Sequence, residues 1–132
     1  ERDEAKAKVA LAWLHATLGV PCVYYGTEQE FDGGGDPYNR EDMWNSGFDT
    51  TGETFKLTQK LVGLRKQHEA LRRGDMTFRW TTDHTGEEMD AGILAFERAS
   101  ASSRVILCWR TSWTSDVSIV CIPWAPPVWS AE

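Results

Sequence analysis

Apolar residues recur with a helical period along two stretches of this chain. In the first, Asp3–Leu18, they form one broad stripe suited to covering a sheet, and Gly19 and Pro21 then provide stop signals. The second stretch opens at Thr50-x-x-Glu53, which has the form of a capping box, and ends at Gly74. Its apolar face carries Leu57, Leu61, Leu64, His68 and Leu71. The pattern therefore predicts two helices.

Between these helices lies a continuous apolar run, Val20–Tyr25, which Gly26 closes. Its β-branched and aromatic residues, without alternation, predict a buried strand of a parallel sheet, and proline is tolerated at the start of such a strand. No period is sustained from Thr27 to Thr51, and a loop of that length in a compact domain is more often functional than not. Helix, strand, long loop and helix in this order indicate an α/β domain that ends at Gly74.

Beyond Gly74 the period changes from helical to alternating. Met76, Phe78 and Trp80 alternate with polar residues. Further short apolar runs follow, separated by segments rich in Ser and Thr, at Ile93–Glu97, Arg104–Trp109 and Asp116–Ile122. Short strands at this spacing predict an antiparallel sheet in a second domain, residues 75–132.

Length and charge narrow the function classes. The chain has 132 residues and a net charge of -6. Its basic residues are dispersed, which argues against a nucleic-acid partner, and no apolar run is long enough to predict a membrane span. The three cysteines, Cys22, Cys108 and Cys121, form no C-x-x-C pair and indicate no zinc site. A bridge between Cys108 and Cys121 and a pair of free thiols both stay open.

Two separated motifs carry a family resemblance. The segment G-V-P-x-V-Y-Y-G-T-E-Q at Gly19–Gln29, followed by G-D-P-Y-N-R at Gly35–Arg40, resembles the eighth barrel strand and the following loop of the α-amylase family, glycoside hydrolase family 13. Cyclodextrin glucanotransferases and related bacterial amylases are the most similar members. The resemblance covers about Ala5–Arg73 well and fades beyond it.

The resemblance implies a fold and a division of the chain. Residues 1–74 would be the end of a (β/α)8 TIM barrel, comprising a helix, the eighth strand, the substrate loop and the last helix. Residues 75–132 would be part of the antiparallel β-sandwich domain that follows the barrel. A complete barrel needs about 250 residues, so we expect a C-terminal fragment of a longer enzyme.

The resemblance also assigns candidate residues. Asp36 and Arg40 match the aspartate and arginine that line the donor-side sugar subsites of the family, and Tyr38 offers a flat apolar face to a pyranose ring. The competing interpretation is that Asp36 and Arg40, four residues apart, only brace the loop as an ion pair. The family's catalytic carboxylates lie on earlier strands, so we expect no catalytic residue here and an inactive isolated chain. Glu28 is expected to have a structural role.

The resulting functional hypothesis is a piece of a retaining glycosidase or transglycosylase acting on α-1,4-glucans, with a glucan as partner and neither nucleic acid nor membrane. The segment itself is expected to hold no cofactor or metal; a calcium site within Glu30–Asp36 lacks the EF-hand pattern, and calcium stays open for the full-length parent. Secretion is open on the resemblance alone. The alternatives are a stand-alone carbohydrate-binding module that uses Trp109, Trp113 or Trp124, and a non-functional gene fragment.

Overall fold

A computed structural model describes residues 4–85, 87–110 and 122–123 of the chain. The elements are helices α1 (Glu4–Ala16), α2 (Glu53–Gln67) and α3 (Glu69–Arg73), followed by strands β1 (Asp75–Thr81), β2 (Ile93–Ala99), β3 (Arg104–Arg110) and β4 (Ile122–Pro123). The long loop between α1 and α2 contains two 3₁₀ turns, Thr27–Gln29 and Met43–Ser46. The chain divides into two compact units, the first ending at Gln67 and the second beginning at His68.

The first unit is built on the contact between α1 and α2. The first predicted helix is confirmed, and α2 confirms the second as far as Gln67. The buried apolar side chains of the unit are Leu11, Ala12, Ala16 and Leu61. An ion pair of 2.7 Å between Lys8 Nζ and Glu53 Oε2 also joins the two helices. Glu53 lies in the first turn of α2, where a carboxylate is favoured by the helix dipole.

The predicted capping box at Thr50 is wrong, because α2 begins only at Glu53. The carbonyl of Gly52 accepts the first helical bond, from Lys56 N at 3.1 Å. Upstream, Asp49 Oδ1 accepts hydrogen bonds from both the amide and the hydroxyl of Thr51, each at 2.7 Å. This local turn competes with the helix and keeps residues 50 and 51 outside it.

The predicted buried strand at Val20–Tyr25 is also wrong. The segment has no strand pairing, and Val20, Tyr24 and Tyr25 are 90%, 58% and 42% exposed. A parallel strand is stable only between neighbours that satisfy its backbone groups, and no strand of the described residues lies in the first unit. The assignment of this unit to a (β/α)8 barrel therefore stays a prediction.

The second predicted helix is divided at His68. This residue has an extended backbone, with φ -106° and ψ 110°, and it precedes α3. The helix α2 packs on α1, whereas α3 packs on β2 and β3 through its buried Ala70 and Leu71. His68 is half-buried rather than a core residue of one continuous helix. The break thus separates two helices that belong to different units, and the domain boundary expected at Gly74 stays a prediction.

The second unit contains the predicted antiparallel sheet, with strand order β1-β2-β3-β4. Its core includes Phe96 and Trp109, whose rings stack at a centroid distance of 5.5 Å, and Phe78 meets Phe96 edge-on at 6.2 Å. Val105 and Leu107 are buried as well. Aromatic pairs of this kind add to the stabilisation from area burial alone.

A β-bulge interrupts β1, so the expected alternation of Met76, Phe78 and Trp80 on one face does not hold. Phe78 is paired with Phe96, but Trp80 is paired with Ala95, and the register shifts between Phe78 and Trp80. Neighbouring residues of β2 point to opposite faces. The bulge therefore places Trp80 on the face opposite to Phe78.

Several sequence expectations fall on residues outside the described ranges. Only the last residue of the run Asp116–Ile122 is described, and Cys121, Trp113 and Trp124 lie outside. Cys22 and Cys108 are free thiols. The described helices include none that is long and apolar enough to cross a membrane. A second sheet of the expected β-sandwich is likewise absent from the described residues.

Candidate functional site

Asp36 and Arg40 form the ion pair that their spacing predicts. The distance between Arg40 Nη2 and Asp36 Oδ1 is 2.9 Å, and the side chains are 68% and 66% exposed. A solvent-exposed pair of this kind contributes roughly 0 to 1 kcal/mol to stability. The pair is therefore a weak brace, and both charged groups remain accessible to a ligand.

The loop that carries the pair is closed by its own backbone. Tyr38 N donates to Gly35 O at 2.8 Å, and Arg40 N donates to Pro37 O at 3.1 Å. At the two ends of this loop, Gly33 N donates to Glu41 Oε1 at 2.9 Å. The Asp36-Pro37 peptide bond is cis. The three hydrogen bonds fix the backbone from which Asp36 and Arg40 project.

Exposed aromatic rings belong to the same unit. Tyr38 lies between the two charged residues and is 78% exposed, and Trp44, on the second 3₁₀ turn, is 71% exposed. Tyr24 and Tyr25 lie at the end of the exposed apolar segment, with ring centroids 4.7 Å apart. Large flat side chains that solvent can reach are suited to contact with the apolar face of a sugar ring.

The turn that begins at Gly26 shows why glycine is needed there. Gly26 has φ 83°, and a Cβ at this position would collide with the ring of Phe31. Its carbonyl accepts hydrogen bonds from Gln29 N and Phe31 N, both at 3.0 Å. The turn reverses the chain after the apolar segment and starts the polar loop.

Other polar residues of the loop anchor it to the rest of the first unit. Gln29 Nε2 donates to Asp49 O at 2.9 Å, and the carboxylate of Glu30 accepts a hydrogen bond from the buried hydroxyl of Thr54. Sequence reasoning missed these anchors and the bond from Gly33 to Glu41. They join residues 8 to 24 positions apart, and no short-range pattern indicates such bonds.

Glu28 lines an acidic cleft of about 310 Å³ rather than the ion pair's loop. The other lining residues are Glu4, Lys8, Gln29, Glu30, Ser46, Asp49, Gly52 and Glu53. The hydrogen bond and the charge of Lys8 lower the pKa of Glu53, and the bonds from Thr51 lower the pKa of Asp49. A general acid needs the opposite shift.

Within the described residues, no group of three or more His, Cys, Asp or Glu side chains is arranged to hold a metal ion.

Known proteins include relatives that match most of this chain. No family model matches the chain. The cyclomaltodextrin glucanotransferase of Geobacillus stearothermophilus is 36% identical over 117 residues, which is 89% of this chain and 15% of that protein. An alpha-amylase of Niallia circulans is 33% identical over 114 residues, 86% of this chain and 20% of that one.

A solved structure is also similar to most of this chain. The crystal structure of gamma-CGTase from alkalophilic Bacillus clarkii aligns with a TM-score of 0.70 and 31% identity over 86% of this chain. The homologues of this chain are thus enzymes of the α-amylase family, glycoside hydrolase family 13. The chain spans only 15% of the first relative's length and 15% of the gamma-CGTase chain, the coverage expected of a fragment of an α-amylase-family enzyme.

The structure brings the three predicted site residues together on one closed loop. Asp36 and Arg40 are in contact, and Tyr38 lies between them in sequence and is exposed. By contrast, Trp109, which the alternative of a stand-alone module used for stacking, is 3% exposed and packed on Phe96. That part of the alternative is wrong, because a buried ring cannot meet a sugar.

Proposed function

We propose that this chain is the part of an α-amylase-type enzyme that holds an α-1,4-glucan through the loop Gly33–Glu41. The observation that carries the proposal is the exposed ion pair of Asp36 and Arg40 on a loop closed by its own backbone. The carboxylate can accept hydrogen bonds from neighbouring sugar hydroxyls, and the guanidinium presents fixed N–H donors. Tyr38 adds an aromatic face.

The reaction belongs to the enzyme as a whole. Retaining glycosidases use two carboxyl groups about 5 Å apart, one as nucleophile and one as acid and base. We place both in parts of the enzyme beyond this chain, which supplies donor-side binding and scaffold. The isolated chain is accordingly expected to release no reducing sugar from maltohexaose, and measurable release would contradict this assignment.

Binding of maltohexaose to the 132-residue chain tests the role of the loop. Asp36→Ala and Arg40→Ala should each weaken binding about tenfold, because each removes a charged hydrogen-bonding partner worth roughly 1.5 to 3 kcal/mol at most. The measurement is the change in backbone amide chemical shifts of residues 33–41 during a titration. Tyr38→Ala should show a smaller loss.

Asp32→Ala is the matched control. Asp32 is an exposed carboxylate of the same polar loop, but we assign it no role in glucan binding. It should bind as the unaltered chain does. Equal effects of Asp32→Ala and Asp36→Ala would mean that only the net charge matters, and the assignment of Asp36 would then be wrong.

A further inference from the structure

Glu41 joins the two ends of the loop Gly33–Glu41. Its Oε1 accepts a hydrogen bond from Gly33 N at 2.9 Å. Both residues are half-buried, whereas residues 34–40 between them are exposed. A backbone amide that donates to a carboxylate forms a charge-assisted hydrogen bond, which is stronger than one between neutral groups. The loop is therefore closed at its base, where water competes least for the bond.

The two backbone hydrogen bonds inside the loop are local. The first runs from Tyr38 N to Gly35 O and the second from Arg40 N to Pro37 O. They shape the turn that carries the ion pair, but they do not connect this turn to the residues before Gly35. Among the hydrogen bonds of the described residues, the bond from Gly33 N to Glu41 makes that connection.

The Gly33 end of the loop is itself anchored. Two residues earlier, Phe31 N donates to Gly26 O at 3.0 Å, and the Phe31 ring meets the Tyr25 ring edge-on at a centroid distance of 6.5 Å. Phe31 also fills the space that a Cβ at Gly26 would occupy. Glu41 thus ties the far end of the loop to a segment that packing already holds.

The same hydrogen bond keeps Glu41 from competing for Arg40. Glu41 follows Arg40 directly in sequence, and an unengaged carboxylate beside a guanidinium attracts it as Asp36 does. In the structure, Glu41 Oε1 accepts from Gly33 N, and Arg40 Nη2 lies 2.9 Å from Asp36 Oδ1. Each of the two carboxylates therefore has its own donor, and Arg40 stays with Asp36.

We propose that Glu41 is a positioning residue of the glucan-binding loop. Its hydrogen bond to Gly33 N holds the loop closed, so that Asp36 and Arg40 are presented together to one ligand. A loop that is closed before binding loses less conformational freedom when the ligand arrives, and its affinity is higher for that reason. This role rests on the proposed function, because the ligand is the glucan assigned to the loop.

The test compares Glu41→Ala and Glu41→Gln in the full 132-residue chain. Both variants remove the same charge, but the amide Oε1 of glutamine can still accept the bond from Gly33 N. Glu41→Ala should accelerate exchange of the Gly33 amide with water about tenfold and weaken maltohexaose binding about tenfold. Glu41→Gln should restore both quantities to within about threefold of the unaltered chain. Water-exchange NMR measures the first quantity, and the shifts of residues 33–41 during a titration measure the second.

Asp42→Ala is the matched control. Asp42 is the next carboxylate along the chain, is exposed, and makes no side-chain hydrogen bond to the 3₁₀ turn that follows it. This variant removes the same charge as Glu41→Ala and should exchange and bind as the unaltered chain does. Circular dichroism checks that every variant is folded.

Three results would overturn the positioning role. One is an unchanged exchange rate of the Gly33 amide in Glu41→Ala, and another is a loss of affinity in Glu41→Gln as large as that in Glu41→Ala. The third is an equal loss in Asp42→Ala, which would assign the effect to net charge. Failure of the proposed function gives a different pattern: maltohexaose shifts no signal of residues 33–41 in the unaltered chain, while the Gly33 amide still responds to Glu41→Ala and recovers in Glu41→Gln.

Discussion

Gly74 lies where the chain passes close to the backbone of α3 and of β2. A Cβ built there would lie 2.6 Å from both Ala70 O and Ala99 O. Both neighbours are backbone atoms, which cannot rotate away as a side chain can. The buried Arg98 also uses this position, because its Nη2 donates to Gly74 O at 2.8 Å. Glycine at residue 74 therefore allows α3 to end directly against β2.

Gly74→Ala should lower the free energy of unfolding by about 1 to 3 kcal/mol, the usual cost of forcing an extra methyl group into a packed site. The control is Gly63→Ala in the interior of α2, where a Cβ would meet nothing within 4 Å. That variant should be stabilised by up to about 1 kcal/mol, since alanine is the better helix former. Urea unfolding followed by circular dichroism measures both, and equal effects of the same sign would refute the close approach.

His84 is a residue whose pKa is raised by its neighbours. Its Nδ1 lies 3.0 Å from Met89 O and 2.7 Å from Asp90 Oδ1, within the connection between β1 and β2. The hydrogen bond to the Met89 carbonyl, and then that to Asp90 with its charge, raise the pKa of His84. A pKa that is higher in the folded state means that folding favours the protonated ring.

The contribution of His84 to stability should therefore be fully present below the unfolded pKa of about 6.5 and should disappear as pH rises through the folded pKa. His84→Gln should be less stable than the unaltered chain at low pH, and the two unfolding midpoints should converge in alkaline solution. NMR titration of the His84 ring gives the pKa directly, and Asp90→Asn should lower it. An unchanged pKa in Asp90→Asn would exclude the ion pair as a cause.

At the scale of elements, one arginine on α2 organises the end of α1. Arg65 Nη1 donates to His15 O at 2.7 Å, and Arg65 Nη2 donates to Gly19 O at 2.9 Å. The last carbonyls of a helix lack partners within the helix and carry partial negative charge. A guanidinium from the neighbouring helix satisfies two carbonyls at the point where the chain leaves α1 for the apolar segment.

Arg65→Met should lower the free energy of unfolding by about 1 to 3 kcal/mol, because it removes two charged donors and leaves the part-buried carbonyl of His15 unsatisfied. Lys60→Met, an exposed position on the same helix, is the control and should change it by less than about 0.5 kcal/mol. Thermal and urea unfolding compare the two variants. A loss in Lys60→Met as large as that in Arg65→Met would show that the positive charge of α2, rather than these two bonds, is responsible.

Elements that depend on near neighbours in sequence were predictable, and those that depend on distant partners were not. The helix α1 and the strands β1 to β3 follow from the period of apolar residues. The strand expected at Val20–Tyr25 does not form, since its pattern describes burial that the first unit does not provide. The breaks at His68 and between Phe78 and Trp80 depend on packing and register, which leave no mark in the apolar pattern.

The candidate site shows the same division. The contact between Asp36 and Arg40 could be predicted from a spacing of four residues, whereas their role in glucan binding stays a prediction from the family's motif. The anchoring of the loop by Glu41 and Thr54 could not, because each bond joins segments that only the fold brings together. The direction of Trp80 escaped prediction for a related reason: simple alternation along β1 assigns it to the same face as Phe78, whereas the register shift places it on the opposite one.

At the scale of the whole molecule, the chain corresponds to a small part of an α-amylase-family enzyme. Its two compact units differ in the side chains that form their cores. The second unit buries Phe96 and Trp109 in its sheet, whereas the first buries mainly aliphatic residues between α1 and α2 and leaves Tyr24, Tyr38 and Trp44 exposed. The side chains proposed to hold glucan are thus surface groups, and substitutions there should alter binding more than folding.

The exposed Val20–Tyr25 segment has a consequence for how the isolated chain behaves at high concentration. Unpaired, apolar and β-prone backbone is a template for pairing with the same segment of another molecule. The net charge of -6 opposes such encounters through repulsion, which salt screens over about 10 Å at 0.1 M. Added salt should therefore promote self-association, measurable by light scattering, and Val23→Lys should suppress it. The solubility of this chain would then depend on the six residues Val20–Tyr25. An unchanged salt response in Val23→Lys would show that the molecules associate through another segment.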